Sequence, residues 1–288
     1  MSGSGRLPRA IVAAYLVLFF VYMFLPLVYM MAVAFNDTRI PTLTPWRGFT
    51  LRWFQVMWED ERMWTALWKS AVIACWVIAL SIPLGLAGAL LMTRLQVPGK
   101  PFVYAVLVSP VLTPGIIIGL STLIFWDTTF DIGGRWPLSV LGQSSFISAY
   151  CMLLFMARLQ RFDPTLEEAA LDLGATPLRV FWTITLPYMR PAILSAMALS
   201  FFQSFENYNT TVFTIGNDLT FTMFIVGKVR KGVQPDTNAL AFVLVMATIA
   251  GGIVYEIARR REVRRAEARA RAALQGGESI VMEPAAAS

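Results

Sequence analysis

Apolar runs of about 20 residues recur along this chain, and that length is what a helix needs to cross the hydrocarbon of a bilayer. About six are legible: Ala10–Phe35, Ala66–Met92, Phe102–Trp126, Leu138–Ala157, Ala192–Thr214 and Ala239–Ala258. Inside lipid every backbone N–H and C=O must be satisfied within the protein, so segments of this length cross as helices. The expected class is therefore an all-α, polytopic membrane protein with about six transmembrane helices. Hydrophobic residues make up 57% of the chain and charged residues only 15%, a balance that soluble domains rarely show. The first run is too long for a signal-peptide core of about 7–15 residues, so it is expected to stay as an anchor, kinked at Pro26. The fourth run starts polar, with Gln143, Ser144, Ser145 and Ser148.

Basic residues between the runs give an orientation. With the N-terminus inside, the cytoplasmic set is Arg6, Arg9, Arg94, Lys100, Arg158, Arg161, Arg179, Arg190 and a tail cluster from Arg259 to Arg271. This is about 15 residues against about nine on the other side, which predicts both termini in the cytoplasm. These charges flank spans rather than forming an interleaved basic and aromatic surface, so nucleic acid is not an expected partner. The tail EVRRAEARARAAL reads as a helix extending the last run, its arginines near lipid headgroups or simply solvated.

Histidine is absent, which removes histidine-based triads and imidazole metal sites. Cys75 and Cys151 each fall inside an expected span and read as small core residues rather than a disulfide or metal pair. No GxxxxGK[ST] phosphate loop occurs, so energy for uphill transport has to come from another chain or an ion gradient.

Between two apolar runs lies a polar segment, Asp163 to Arg190. Asp163 suits an N-cap with Pro164 at the first helical position; Thr165 and Glu168, at capping-box spacing, offer an alternative start. Leu166, Ala169, Ala170 and Leu173 share one face, and Gly174 suits the position after the helix, where positive φ is required. The pattern then repeats, with Thr176 as N-cap, Pro177 first in a second helix, and a stop before Pro187. The small residues Ala169, Ala170 and Gly174 allow close approach by another protein.

Other stretches carry weaker signals. LRWFQVMWEDERMW, Leu51 to Trp64, reads as one amphipathic interfacial helix, and Trp46, Trp53, Trp58, Trp64 and Trp68 suit the headgroup belt. LQVPGKP, Leu95 to Pro101, is a short turn. SPVLTPGIIIG, Ser109 to Gly119, puts two prolines in the third run, which predicts a kinked helix facing the bundle interior. LTFTMFIVGKV is too short to cross and reads as a surface helix or re-entrant segment. In the fifth run Ser200, Gln203, Glu206, Asn207 and Thr210 recur at helical spacing and are expected to form one polar stripe. A carboxylate inside a span costs at least about 2.5 kcal/mol, so Glu206 points to a solute path attracting a cation, or to an interface position or an arginine partner. Glu256 is expected to pair with Arg259 or Arg260.

Glu168-Ala169-Ala170, three residues, Gly174, nine residues, then Ile184-Thr185-Leu186-Pro187 resembles the EAA loop of ABC-importer permeases, without a gap. Phe35-Asn36-Asp37, LRWF at Leu51 and VRKGVQPDTNAL at Val229 resemble the spermidine/putrescine (PotC-like) permease family. The resemblance implies the type I, MetI-like permease fold. Residues 1–9 would be a cytoplasmic N-terminus, 10–261 the permease domain with a coupling loop at 159–190, and 262–288 a basic, partly disordered cytoplasmic tail. It also implies a transport subunit rather than an enzyme, in the bacterial cytoplasmic (inner) membrane. Coupling to the ATPase would fall to Glu167, Glu168, Ala169, Ala170, Leu173 and Gly174, with Leu186 and Pro187 closing the motif.

The implied partners are two copies of a cytoplasmic ABC ATPase holding ATP and Mg, a second permease of a different sequence, an external solute-binding protein and membrane lipid. This chain would carry no cofactor and no metal. The solute would be a small organic cation, a polyamine first, passing Gln203, Glu206, Asn207 and Thr210. One departure bears on this: family members often have two adjacent acids where this chain has Glu206-Asn207, which leaves another amine, an amino-acid derivative or an opine as the alternative. A stand-alone channel or secondary transporter would want coupling carboxylates in matching halves, which the sequence lacks. An integral-membrane enzyme ranks last.

Overall fold

A computed structural model of the protein describes residues 6–94, 98–232, 234–253, 256–257 and 260–261. Among these every regular element is a helix. The chain divides into two compact units, one made of residues up to Glu59 with those from Gly232 onward, the other of Asp60–Lys231.

The first unit holds α1 (Arg6–Val33), α2 (Arg52–Trp58) and α12 (Pro235–Ile253). Helix α1 runs through Pro26, and its apolar side chains point outward, Tyr22 being 79% exposed. A folded connection follows, organised by the fully buried Asn36. The Asn36 amide donates to the Thr42 carbonyl at 2.8 Å and the Pro45 carbonyl at 3.3 Å, and its side-chain oxygen accepts from the Arg47 N–H at 2.9 Å. The Trp53 indole donates to the Asn36 carbonyl at 3.0 Å. Phe35 is ringed by Phe49, Phe54 and Phe242, with centroids at 5.3, 5.2 and 5.1 Å, which fastens the connection to α12.

In the second unit, α3 (Glu61–Arg94), α6 (Trp136–Leu159) and α9 (Leu186–Phe205) share a core that includes Ile73, Val77, Ile147, Phe155, Met189 and Ala196. Close approach of α3 and α6 requires Gly85, where a Cβ would lie 2.5 Å from that of Cys151. Small residues at such crossings are how membrane helices gain packing without a hydrophobic drive between them. The polar start of α6 turns inward: Gln143 accepts from the Ser204 hydroxyl and donates to Thr211 at 2.8 Å, and Ser139 pairs with Thr214 at 2.9 Å. Cys151 is buried beside Ser200 as a core residue, whereas Cys75, expected in the core, is exposed on the outer face of α3.

Several expectations need correcting. The span count is not one of them: among the described residues four helices are by length and composition apolar enough to cross a bilayer (Ile11–Val33, Glu61–Arg94, Trp136–Leu159 and Pro235–Ile253), or five if a bent pair counts as one, in keeping with a polytopic fold of about six spans. That pair, α4 (Lys100–Leu112) and α5 (Gly115–Phe130), turns by 103° at Thr113-Pro114. The bend is the expected kink, with Thr113 pushed into the extended region ahead of Pro114. The interior-facing expectation holds past the bend, where Ile118 and Gly119 are buried, but not before it, since α4 buries no residue and Pro114 is exposed. The amphipathic helix expected from Leu51 to Trp64 is split, because Asp60 caps a new helix by accepting from the Arg62 and Met63 N–H groups at 3.1 and 3.3 Å. The segment after the fifth run forms a ten-residue surface helix, α11 (Phe221–Arg230), tied down by Lys228–Asp60 at 2.9 Å and by the Ser70 hydroxyl, which accepts from the Phe221 N–H at 2.9 Å. Pro98-Gly99 forms the expected turn, with Gly99 at φ +69. Glu256 pairs with Arg260 at 2.6 Å. Leu95–Val97, Arg259, Arg264, Arg265, Arg269 and Arg271 lie outside the described residues.

Candidate functional site

Helix α7 (Thr165–Asp172) is held at both ends by its own sequence. Asp163 accepts from the Thr165 hydroxyl at 2.8 Å and its N–H at 3.0 Å, and these bonds hold the Asp163 carboxyl below its usual range. The Thr165 hydroxyl is thus spent on Asp163, and the alternative capping box with Glu168 does not form. At the other end Gly174 takes φ +84. Its N–H donates to the Leu171 carbonyl at 2.9 Å and the Ala175 N–H to the Ala170 carbonyl at 3.0 Å, the paired bonds of a Schellman stop.

Helix α8 (Pro177–Val180) starts under the Thr176 cap, as read from the sequence, but the expected stop before Pro187 is absent. A π-turn, Phe181–Thr185, follows, and α9 continues through Pro187 and Pro191 to Phe205. A π-turn shifts hydrogen bonding to i→i+5 and widens the helix, which gives the Pro187 ring room that an α-turn lacks.

Glu167 ties this loop to the bundle. Its carboxylate accepts from Arg94, at the end of α3, at 2.9 Å, and from the hydroxyl of the buried Thr185 in the π-turn. Arg94 in turn lies 5.1 Å from the Phe162 ring centroid. Glu167 therefore faces inward. Glu168 and Ala169 are exposed, Ala170 is half-buried, and Leu166 and Leu173 are 53% and 89% exposed. Leu178 and Trp182 are exposed beside them. Leu186 and Pro187 are half-buried, inside the continuous helix.

The expected polar stripe is not one helical face. Helix α9 ends with Glu206 as its C-cap, and α10 (Thr211–Thr214) starts afresh. The side chain of Asn207 explains the break. Its oxygen accepts from the N–H groups of Thr210 and Thr211, both at 3.2 Å, and from the Thr211 hydroxyl at 3.1 Å. Asn side chains compete in this way with the helical ladder. Thr210 is fully buried and donates to the Gly115 carbonyl at 3.2 Å; a Cβ on Gly119 would sit 2.6 Å from the Thr210 carbonyl oxygen. Thr210 is a packing residue of the α5 crossing and lines no open path within this chain. Gln203 is half-buried, and Glu206 is exposed with no hydrogen bond or ion pair to its carboxylate among the described residues.

Residues 80–267 match a family described as the binding-protein-dependent transport system inner membrane component. The chain belongs to that family. It is 32% identical over 259 residues to the putrescine transport system permease protein PotI of Escherichia coli (strain K12), spanning 87% of this chain and 91% of that one. Against the spermidine/putrescine transport system permease protein PotC of the same strain, identity is 27% over 246 residues, 85% and 91% of the two chains. Among solved structures, a bacterial ABC transporter for alginate import aligns with TM-score 0.61 at 16% identity, over 90% of this chain and 98% of that one. The MetNI methionine transporter aligns with TM-score 0.55 at 16% identity, over 73% and 97%. At such identities the likeness is one of fold. This is a permease subunit of an ABC importer, with the MetI-like fold; it is a multi-pass protein of the bacterial inner membrane and not an enzyme. Importers of this kind combine permeases with an ATPase and a solute-binding protein.

The sequence placed Glu167 in the coupling set but carried no sign of its partner. Arg94 lies 73 positions away at a helix end, with no local pattern linking the two.

Proposed function

We propose that this permease is half of an ATP-driven importer of small organic cations, with a polyamine of the putrescine or spermidine class as solute. The observation that carries the reading is the 32% identity to PotI across most of both chains. In this reading α7 is the coupling helix. Leu166, Glu168, Ala169 and Leu173 meet the ATPase, while Glu167 hands its motion to α3 and the π-turn. Ala170 and Gly174 let the partner approach, and Leu186 and Pro187 join the loop to α9. Two ATPase copies hold ATP and Mg, a second permease of different sequence completes the path, and a binding protein delivers solute from outside. Both termini face the cytoplasm.

Glu206 and Gln203 are the solute-facing groups. Glu206 adds its carboxylate to the carbonyl end of α9, where the helix dipole is negative, so both attract a cation. Asn207 and Thr210 shape the break behind them. Asn207 keeps the cap that an aspartate would give but without a second charge, which is the one observation favouring a singly charged amine or an opine. Uptake of labelled putrescine, spermidine, a monoamine and an opine by the reconstituted complex tests the reading. Putrescine or spermidine uptake that falls about tenfold in Glu206→Gln, with complex assembly unchanged, is the expected result. Opine uptake with no polyamine uptake overturns it.

A further inference from the structure

The connection after α1 carries a site that neither coupling nor solute passage uses. Arg39, Arg47 and Arg52 line a hollow of about 270 Å³ together with Asp37, Thr38, Ile40 and Trp53. Three guanidinium groups stand against one carboxylate there, and none of the three is in an ion pair among the described residues. The hollow is built rather than incidental. Asn36 holds the Arg47 N–H and the Trp53 indole, and Arg52 lies 5.5 Å from the Trp53 ring centroid. Asn36 thus sets the Arg47 backbone through its side-chain oxygen and the Trp53 ring beside Arg52 through its main-chain carbonyl.

Its depth in the bilayer follows from α1. The 23 apolar residues Ile11–Val33 rise about 34 Å as a helix, close to the hydrocarbon thickness. Asn36 lies three residues beyond that end, so the hollow opens at headgroup level. Around it Ile40, Trp46, Phe49, Leu51 and Trp58 are 52–69% exposed. Exposed tryptophans and apolar side chains beside arginines are the pattern of an interfacial belt. A group reaching this hollow from the membrane is anionic at its head and apolar behind it.

We propose that Arg39, Arg47 and Arg52 bind the phosphodiester of an anionic phospholipid, with Trp46, Phe49 and Leu51 against its acyl chains. The site fastens the first span and the connection to the lipid surface. Arginine forks pair with phosphate oxygens in two-pronged fashion, which a hydrated lysine does not reproduce.

The assembled importer is purified and placed in nanodiscs of phosphatidylcholine doped with phosphatidylglycerol, and retained lipid is counted by native mass spectrometry. Preferential retention of phosphatidylglycerol is expected, weakened about fivefold for each arginine removed in Arg52→Gln, Arg47→Gln/Arg52→Gln and the triple variant. Arg62→Gln, outside the hollow, leaves it unchanged. Should the triple variant fail to assemble, the graded loss is read from the single and double variants. Inorganic phosphate at millimolar concentration is expected not to displace the lipid. Equal retention of phosphatidylglycerol in the parent and the double variant overturns the proposal. So does displacement by free phosphate, or loss of binding-protein association with lipid retention intact, which would make the hollow a protein contact.

Discussion

Glu167 and Glu168 are neighbours of one residue type that stand in opposite surroundings. Glu167 is four-fifths buried as a side chain and bonded to Arg94 and Thr185. Removing either partner strands a charge, so Glu167→Gln or Arg94→Ala is expected to cost about 2 kcal/mol, and the double variant less than the sum. A double-mutant cycle on thermal unfolding of the complex measures this coupling; additive losses would mean that the pair does not act as a unit. At the far end of α3, burial works to raise the Asp60 carboxyl, but hydrogen bonding and attraction from Lys228, with the Met63 and Arg62 N–H groups, bring it below its ordinary 3.8. A lowered folded value stabilises above the unfolded one and is lost as pH falls through it. The stability gap between the parent and Asp60→Asn should thus be full near neutrality and vanish as pH drops below about 4. A gap that persists in acid would mean that the carboxylate is not what holds α11.

Among the elements, α7 is the one whose local sequence dictates its form most completely. Asp163 bonded to Thr165, Pro164 at the N-cap and a glycine at φ +84 bound an eight-residue helix in which only Glu167 and Ala170 are half-buried. Such a helix keeps its shape before a partner arrives, which is what a lever requires. Gly174→Ala forces a Cβ into the left-handed region at about 1–2 kcal/mol, with open space around it, so strain rather than collision is the effect. Reduced ATPase coupling with normal membrane insertion is the expected phenotype, read from solute-stimulated ATP hydrolysis. The broken fifth run shows the opposite case. Its polar residues sit at helical spacing, yet Asn207 turns its side chain onto the backbone and starts a new helix. Periodicity described the spacing but not the competition between side chain and ladder.

For the whole molecule, the proposed function rests on an exposed surface being gripped by another chain. Glu168 makes no ion pair among the described residues and is exposed, so Glu168→Lys should leave the fold and insertion intact. It reverses the charge offered to the ATPase, and uptake with coupled hydrolysis is expected to drop at least about tenfold in reconstituted vesicles. Normal uptake would remove Glu168 from the contact.

The sequence alone settled the membrane-spanning helical class, the caps of α7 and the family, because apolar length, capping residues and an ungapped motif are local properties. Tertiary structure decided what lies across space: that Glu167 reaches Arg94, that Asn36 gathers Thr42, Pro45, Arg47 and Trp53, and that the fifth run breaks at Glu206. A hydrogen bond between groups 73 residues apart depends on which helices pack together, and packing in a bilayer is governed by small residues such as Gly85 and Gly119 whose role appears only when a neighbour stands against them.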